Sequence, residues 1–427
     1  MRNIFKPTAF LSVLIIMSLM LSSCGVFYFT YEADAPSIPN ADGLEDIKDP
    51  ENPDISGSLN AVDFGFTNKF DPATVLSRFH PYDFEGAFVT VATSSDKCTL
   101  FPNTGLYVDS NLYSSASVLQ DKFNMSLTKF SSELEELVKT LENAEATGNN
   151  YADIVALPLS AVPSFEGKDI FVKISSLPFI DESAEYFSEN KNYQITGDYF
   201  IGGSASYRIS DTKVIYFNTE LMKSLGVESP YSLTSAKKWT WDKLCEYLSS
   251  GKYFAAEEDI LPIIKATVKN AGEKSDAKAA ALAEKLNASL ISENAKEKFL
   301  GGEALFYLGD LADASDFSKT DTVFGLLPIP LFEEGDDYSA VRHSDDITVF
   351  ACAKSSPDHE RAAFIISAIN AASHGAMESL YLTVTENSFL RDNGSNLSLG
   401  YICAAETAVV FPEAEGDTET ESDTEAE

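Results

Sequence analysis

Residues 214–227 read VIYFNTELMKSLGV. The four apolar residues at 214–217 predict a buried β-strand, and Asn218 or Thr219 is a residue type that begins helices. Gly226 is the residue type that most often ends a helix, because glycine adopts the left-handed conformation without strain. The stretch therefore predicts a strand followed directly by a helix, which is the repeating unit of an α/β sheet.

The same succession of strand and helix occurs on the N-terminal side. Residues 87–93 (AFVTVAT) and 153–157 (DIVAL) are short apolar runs that predict buried strands. Residues 114–123 and 132–147 predict helices, and the second of these ends at Gly148. Strands that alternate with helices favour a sheet with parallel strands.

The C-terminal side contains one sharply defined helix start, KWTWD at 238–242. Thr240 is expected to cap the helix, and Trp239 and Leu244 have the spacing of a hydrophobic staple. Both tryptophans are therefore predicted to be structural rather than ligand-stacking. The remaining predicted elements are a helix over 275–291, strands over 304–308 and 347–351, an extended crossing segment over 325–332, and a helix from 356 to about 372 with Pro357 at its first position.

The first 25 residues predict a cleaved signal peptide with a lipid attachment site. Arg2 and Lys6 precede an apolar run over 8–21, which is shorter than the ~20 residues that a membrane-spanning helix needs. The run ends in LSSCG, which resembles a bacterial lipobox. The expectation is that residues 1–23 are removed and that Cys24 is acylated and tethers the chain to the outer side of the cell membrane. The alternative is a signal anchor with a buried cysteine.

Much of the acidity lies in two low-complexity segments. The chain has 31 Lys and Arg against 66 Asp and Glu, a net charge of −35. Residues 31–57, which lie within an acidic, proline-rich linker predicted over 24–60, contain eight acids and one base. Residues 413–427 contain eight acids and no base. Both segments are predicted to be disordered, the first as a stalk and the second as a tail.

Composition and motifs exclude several classes of function. The acidity argues against binding of nucleic acid. No cysteine or histidine spacing is typical of zinc, and the acidic strings at 333–337 and 345–346 lack EF-hand spacing, so neither a metal nor another cofactor is expected. Ser126 and Lys129 match the SxxK pattern without the other motifs of that enzyme class. Cys98, Cys245, Cys352 and Cys403 are expected to be buried thiols, although they allow two disulfides.

The order of these segments resembles the carbohydrate-type, maltose-binding-protein-like family of extracellular solute-binding proteins that serve ABC importers. The resemblance is carried by YADIV at 151–155, VIYFNTEL at 214–221 with LGV at 225–227, KWTWD at 238–242, GGEALF at 301–306 with GDL at 309–311, and FGLLPIP at 324–330. It covers residues 87–392.

The resemblance implies a two-lobed α/β fold of the type II periplasmic-binding-protein class, with hinge crossings between the lobes. The body is expected over 61–412. Lobe one would contain about 85–195 and 325–385, and lobe two about 196–324 and 386–412. Such a protein is a monomer without catalytic activity that captures a small polar solute, here expected to be a sugar or oligosaccharide, and delivers it to the ABC permease subunits.

Candidate ligand-binding residues follow from the ends of the predicted strands, where the two lobes would face each other. They are Ser94, Ser95 and Asp96 after the first strand, Ser160 after the DIVAL strand, Asp198 and Tyr199 before the first crossing, Tyr207 and Tyr307 as stacking rings, Asp310 at a strand end, and His343 before the last strand. Each of them also fits a turn cap or a core position.

Three departures from the family pattern keep an alternative open. The stretch after Trp241 is short, the chain ends soon after residues 391–393, and no tryptophan remains for the cleft. The second lobe is thus predicted to be shortened. The alternative is a degenerate surface lipoprotein that binds a protein or a polymer and does not serve transport. An enzyme acting on surface polysaccharide is the third hypothesis, but no catalytic constellation stands out.

Overall fold

The computed structural model describes residues 72–101, 109–249, 253–374, 385 and 389–412, without the side chains of residues 74 and 109–114. The chain divides into two units, Met1–Val62 and Asp63–Glu427, and every described residue belongs to the second. The predictions of the signal peptide, Cys24, the linker and the tail at 413–427 lie outside the described residues.

The described part alternates strands and helices. The strands are β1 (Ala87–Thr93), β2 (Met125–Ser131), β3 (Ile154–Pro158), β4 (Lys213–Asn218), β5 (Tyr253–Ala255), β6 (Leu290–Ile291), β7 (Ala304–Asp310), β8 (Phe324–Leu327), β9 (Ser339–His343), β10 (Thr348–Cys352) and β11 (Glu406–Val410). The helices are α1 (Pro72–Leu76), α2 (Asp109–Phe123), α3 (Leu134–Thr147), α4 (Thr219–Leu225), α5 (Tyr231–Ser235), α6 (Trp241–Leu248), α7 (Ile260–Ala266), α8 (Glu273–Asn287), α9 (Ala295–Leu300), α10 (Asp313–Phe317), α11 (His359–Ser373) and α12 (Asn393–Ala404).

The first sheet has the strand order β10-β3-β1-β2. β1 is parallel to both β2 and β3, whereas β10 is antiparallel to β3. One face packs against α2 and α11 through a cluster that includes Val91, Leu119 and Ile365. The other face packs against α3, whose Leu137 and Leu141 contact the side of the sheet that carries Ala92. These layers form lobe one.

The second sheet has the strand order β6-β5-β7-β4-β8. β4 is antiparallel to β7 and β8, whereas β5 is parallel to β6 and β7. α6, α7 and α8 pack on one face with Trp239 and Trp241 in the cluster, and α9, α10 and α12 pack on the other. These layers form lobe two.

The return from lobe two to lobe one lies later in the chain than the expected position at 325. β8 pairs with β4 in the second sheet, and Leu331 and Val341 belong to the same apolar cluster as β4 and β7. The chain joins the first sheet only at β10. Residues 325–341 are thus part of lobe two, because the apolar residues of 325–332 complete its sheet rather than leave it.

Three chain segments meet between the two sheets. The first crossing runs through residues 206–212, and the second follows β9 into β10. β11 pairs in parallel with β9, and Arg342 of β9 donates hydrogen bonds to Thr212 Oγ1 at 3.1 Å and to Thr407. The Arg342 guanidinium also lies 3.9 Å from the centre of the Tyr207 ring. The side chain of Arg342, 3% exposed, therefore holds all three segments together.

The predicted helix starts agree with the structure. Asn218 caps α4 and Gly226 ends it in the left-handed conformation. Thr240 Oγ1 accepts a hydrogen bond from Lys243 N at 3.2 Å. Trp239 is fully buried, and its Nε1 donates to the carbonyl of Pro328 at 3.0 Å, which confirms its structural role. At Asn218 and Thr240 the side chain accepts a hydrogen bond from an orphan backbone N–H three residues later, which is why these caps could be recognised from sequence.

Other predictions need correction. Strand β2 was not expected, and β7 continues through Asp310 rather than ending at residue 308. Pro357 precedes the cap of α11, which is Asp358, instead of occupying the first helical position. The four described cysteines form no disulfide, as expected. Cys98 and Cys352 are buried, but the other two, Cys245 and Cys403, are only half-buried.

Candidate functional site

Four charged or polar side chains of lobe two meet at the ends of its strands. Lys213 opens β4 and Asp310 closes β7, and the antiparallel register places them opposite each other. Lys213 Nζ lies 2.7 Å from Asp310 Oδ1 and 2.9 Å from Glu258 Oε1. Glu258 Oε2 in turn lies 2.6 Å from His343 Nε2 at the end of β9. The sheet register and the second crossing thus build one connected chain of ion pairs.

The pKa values in this chain reflect burial and mutual interaction. Burial alone lowers the pKa of Lys213, but the carboxylates of Asp310 and Glu258 outweigh it and raise that pKa. Burial raises the pKa of Asp310, and Lys213 offsets only part of the increase. For Glu258 the hydrogen bond from His343 and the charge of Lys213 outweigh burial, so its pKa is lowered. Lys213 and Glu258 therefore form an ion pair at neutral pH.

Asp211 adds a carboxyl from the first crossing. It lies 3.2 Å from Arg208 Nε and its side chain is 21% exposed. Its pKa is raised to about 6, first by burial and then by the charges of Asp346 and Asp310, against the lowering effect of Arg208. Asp346 belongs to the second crossing and Asp310 to lobe two. Three carboxyl groups from three separate segments are therefore within electrostatic reach of one another.

The carboxyl ends of the strands in lobe one contribute a second polar edge. After β1, Ser95 N donates to Thr93 Oγ1 at 3.1 Å and shapes a tight turn. Asp96 in that turn lies 3.2 Å from Lys129 Nζ of β2. Lys97 pairs with Asp346, and Ser160 after β3 donates a hydrogen bond to Asp345. Asp346 thus interacts both with the polar edge of lobe one, through Lys97, and with Asp211 of the first crossing.

We call the group at this junction the charged cluster; it consists of Asp211, Lys213, Glu258, Asp310, His343 and Asp346. Two of the sequence-predicted residues, Asp310 and His343, belong to it. Four others lie along the neighbouring edge of lobe one: Ser94, Ser95, Asp96 and Ser160. The arrangement offers carboxylates that accept hydrogen bonds and an ammonium group that donates them.

The two predicted stacking rings are engaged in packing. Tyr307 is 5% exposed, its ring centre lies 5.6 Å from that of Phe299, and its hydroxyl donates to Asp313 Oδ2 at 3.3 Å. Tyr207 lies against the guanidinium of Arg342. The Tyr307 ring is covered because β7 is buried along its length, and one face of the Tyr207 ring is occupied by the cation of Arg342.

Asp198 and Tyr199 lie at the opposite end of the first sheet. They precede Ile201, which pairs with Phe350, and Tyr199 is within electrostatic reach of Lys354 beyond the end of β10. Because β10 is antiparallel to β3, that end is remote from the carboxyl ends of the parallel strands. Asp198 instead accepts a hydrogen bond from Ser175 N at 3.1 Å and lines a shallow pocket of about 250 Å³ with Glu182 and Lys191. That pocket does not include the charged cluster, whose chemistry favours it as the candidate site.

Sequence reasoning missed Lys213, Glu258, Asp211 and the role of Asp346. Lys213 has a local signal, since it is the charged residue that opens an apolar strand. Glu258 and Asp211 have none, because irregular chain and a short turn bring them in. In the sequence Asp345 and Asp346 stand out only as an acidic string, and only the fold places Asp346 beside Lys97 and Asp211.

Among the described residues, no helix combines the length and the apolar character that crossing a membrane requires. Within the same residues, no group of three or more histidine, cysteine or acidic side chains has an arrangement suited to holding a metal ion.

The fold is similar to those of several solved structures at low sequence identity. An uncharacterized protein of Listeria monocytogenes (lmo0859) has a TM-score of 0.52 at 11% identity, covering 77% of this chain and 90% of that one. A family 1 extracellular solute-binding protein of Alicyclobacillus acidocaldarius has a TM-score of 0.50 at 11% identity, with 80% and 91% covered. UspC of Mycobacterium tuberculosis has 0.50 at 11%, with 76% and 89% covered. No family model and no curated protein sequence matches the chain.

These likenesses establish the fold. The described chain has the two-lobed, type II arrangement of extracellular solute-binding proteins, which confirms the fold class expected from sequence.

Proposed function

We propose that this protein is a solute-binding protein that captures a small polar solute, a sugar or oligosaccharide, at the charged cluster. The observation that carries the proposal is the meeting of Asp310 and Lys213 of lobe two with Asp211 and Asp346 of the two crossings. In α/β proteins, ligands bind at the carboxyl ends of parallel strands and at domain junctions. The fold of solute-binding proteins supports the same assignment.

The chemistry of the cluster suits hydroxyl groups. A carboxylate accepts two hydrogen bonds, and an ammonium group donates three. Lys213 pairs with Asp310 at 2.7 Å and with Glu258 at 2.9 Å. Sugar hydroxyls would replace part of those interactions. Because both predicted stacking rings are packed elsewhere, recognition would depend on polar groups more than on ring stacking.

The proposal includes the cellular setting. Acylated Cys24 would hold the protein at the extracellular face of the cell membrane, with the acidic segment at 31–57 as a spacer. The lobes would deliver their solute to the permease subunits of an ABC importer. This setting rests on the lipobox and on the fold, and it is tested by metabolic labelling with a fatty acid in wild-type and Cys24→Ala cells.

A thermal-shift screen against neutral monosaccharides and oligosaccharides tests solute binding. A ligand that binds only the folded state raises the melting temperature. The expected result is a stabilising sugar whose affinity falls at least about tenfold in Asp310→Asn and Lys213→Met, since each loses a charged hydrogen-bond partner. Asp169→Asn is the matched control, because Asp169 is 81% exposed and pairs with Lys354 at the far end of the sheet. A screen without any stabilising sugar contradicts the proposal.

One observation favours a second function, that of a surface lipoprotein that binds a polymer or a protein without transport. Glu258 already bridges Lys213 and His343, the Tyr307 ring is packed against Phe299, and Arg342 occupies one face of the Tyr207 ring. Genomic context separates the two. Neighbouring genes for two permease subunits favour uptake, and an isolated gene favours the surface lipoprotein.

A further inference from the structure

One face of lobe one exposes aromatic rings that no part of the described chain covers. Phe88 of β1 is 75% exposed and Phe130 of β2 is 46% exposed. The parallel register pairs Phe88 with Ser126 and Ala92 with Phe130, so the two rings lie on the same face of the sheet. Grouped apolar side chains on a protein surface often mark an interaction site, whereas single exposed apolar residues are common and carry no such meaning.

The packing of α3 explains why this face stays open. Leu137 and Leu141 of α3 cover the sheet around Ala92 and Val155, which lie on β1 and β3. β2 is at the end of the sheet, beyond that helix. The open part is called the aromatic face, and its members are Phe88, Thr90, Ser126, Thr128, Phe130 and the adjoining Tyr151.

The geometry of the aromatic face is that of a flat platform. The Phe130 and Tyr151 ring centres are 6.1 Å apart, with their planes inclined by 23°. Phe130 lies opposite Ala92 of β1, and Phe88 precedes Ala92 by four residues. The two phenylalanines are thus about 13 Å apart along the strand direction. Thr90, Ser126 and Thr128 place partly exposed hydroxyl groups between the rings. This distance and this mixture of rings and hydroxyls suit a short stretch of linked sugars.

Charge selects the class of ligand. The members of the aromatic face carry no charge, although the chain as a whole has 66 acidic and 31 basic residues. Lys129, the basic residue of β2, lies on the opposite face and pairs with Asp96. An anionic lipid or nucleic acid would be repelled by the surrounding protein, whereas an uncharged, hydroxyl-rich chain is not.

Among the described strands β2 forms the edge of the first sheet, and one main-chain donor of that edge is already occupied. Leu127 N, which would donate to an added peptide strand, already donates to Gln120 Oε1 at 2.8 Å. Addition of a strand needs these main-chain donors. A ligand is thus expected on the face of the sheet and not along its edge.

We propose that the aromatic face is a second binding site, for a neutral polysaccharide chain, whose sugar rings stack on Phe88 and Phe130. Aromatic rings attract the polarised C–H edges of a sugar ring, and neighbouring hydroxyls fix its orientation. The site does not depend on solute binding at the charged cluster. It gives the protein contact with a polymer outside the cleft between the lobes.

Affinity electrophoresis of the full chain tests the site. Native gels that contain a soluble neutral polysaccharide, in turn dextran, laminarin and arabinoxylan, retard a protein that binds the polymer. At least one polymer is expected to retard the wild-type chain. Phe88→Ala and Phe130→Ala should each weaken that binding about two- to tenfold, and the double variant should lose most of it. Tyr253→Ala, a ring 50% exposed in lobe two, is the matched control and should bind normally.

Each other outcome overturns the site. Absence of retardation by all three polymers does so, as does retardation that the double variant retains. Retardation lost in Lys213→Met but kept in the double variant assigns the polymer to the charged cluster instead. Concentration-dependent dimers that disappear in Phe88→Ala assign the face to a second copy of the chain. Because both rings are exposed, the variants are expected to fold, which tryptophan fluorescence of the buried Trp239 and Trp241 checks.

Discussion

Replacement of Asp211 by asparagine is expected to stabilise the protein at neutral pH and to have little effect at pH 4. Asp211 is 21% exposed, and its pKa is raised from 3.8 to about 6 by burial and by the charges of Asp346 and Asp310. A carboxyl whose pKa is higher in the folded than in the unfolded state binds its proton more tightly when folded. The proton on Asp211 therefore stabilises the folded state, fully below about pH 4. This stabilisation is lost as the pH rises through 6 and the carboxyl group ionises in the folded protein.

The magnitude follows from the shift in pKa. A difference of about two units, at 1.36 kcal/mol per unit, corresponds to about 3 kcal/mol by which ionised Asp211 destabilises the folded state above pH 6. Asparagine stays neutral and removes this cost, at the loss of the ion pair with Arg208 that the pKa already includes. We expect Asp211→Asn to raise the free energy of unfolding by up to about 3 kcal/mol at pH 7.5.

Urea unfolding followed by tryptophan fluorescence measures the effect, because Trp239 and Trp241 are fully buried in lobe two. Asp96→Asn is the control. Its carboxylate is 95% exposed, so its pairing with Lys129 is worth less than about 1 kcal/mol. If Asp211→Asn is less stable than wild type at pH 7.5, or differs from it equally at pH 4 and pH 7.5, the assignment of a strained carboxyl group at the junction is refuted.

Three further substitutions test how the fold is held together. Arg342→Met removes the hydrogen bond to Thr212, and faster amide hydrogen exchange in β9 and β11 is expected, with unchanged exchange in β1 as the control. Thr240→Ala removes a helix cap and should cost about 1 kcal/mol in urea unfolding; a loss below about 0.3 kcal/mol would contradict the cap. Trp239→Ala leaves a large cavity and the carbonyl of Pro328 without its donor, so a loss of about 3–5 kcal/mol is expected by calorimetry, whereas a small loss would contradict full burial.

Local signals explain which parts of the fold were predictable. Helix caps form hydrogen bonds with backbone groups only a few residues away, so they can be predicted from the sequence. This applies to Asn218, Gly226 and Thr240. Strand β2 was missed because the alternation in MSLTKFS breaks: Met125 and Leu127 lie on one face of the strand, whereas Phe130 lies on the other. The strand therefore has neither a continuous apolar run nor a regular alternation to mark it.

Long-range contacts explain what was missed at the site. Asp310 follows a strand that the sequence predicts, whereas His343 was expected in the loop before the last strand and instead ends β9. Their partners Lys213 and Glu258 come from other strands and from irregular chain, and only the register of the sheet joins them. Tyr307 was expected to face the ligand, but its strand is buried on both sides, and alternation along a strand cannot reveal that.

The boundary between the lobes also depends on long-range contacts that the sequence does not reveal. The apolar, proline-containing segment at 325–332 has the composition of a crossing, and residues 328–332 are buried beside Trp239 and Trp241 in lobe two. Whether such a segment leaves a lobe or completes it depends on which strand it meets. β8 meets β4, a strand more than a hundred residues earlier in the chain.

Small-angle X-ray scattering with and without the best sugar from the thermal-shift screen measures whether the two lobes close on a solute. We expect the saturating sugar to lower the radius of gyration, because a solute held between lobe one and lobe two stabilises the closed form. Asp310→Asn is expected to show no such change at the same sugar concentration. An unchanged radius of gyration in the wild-type protein at saturation would contradict solute capture between the lobes.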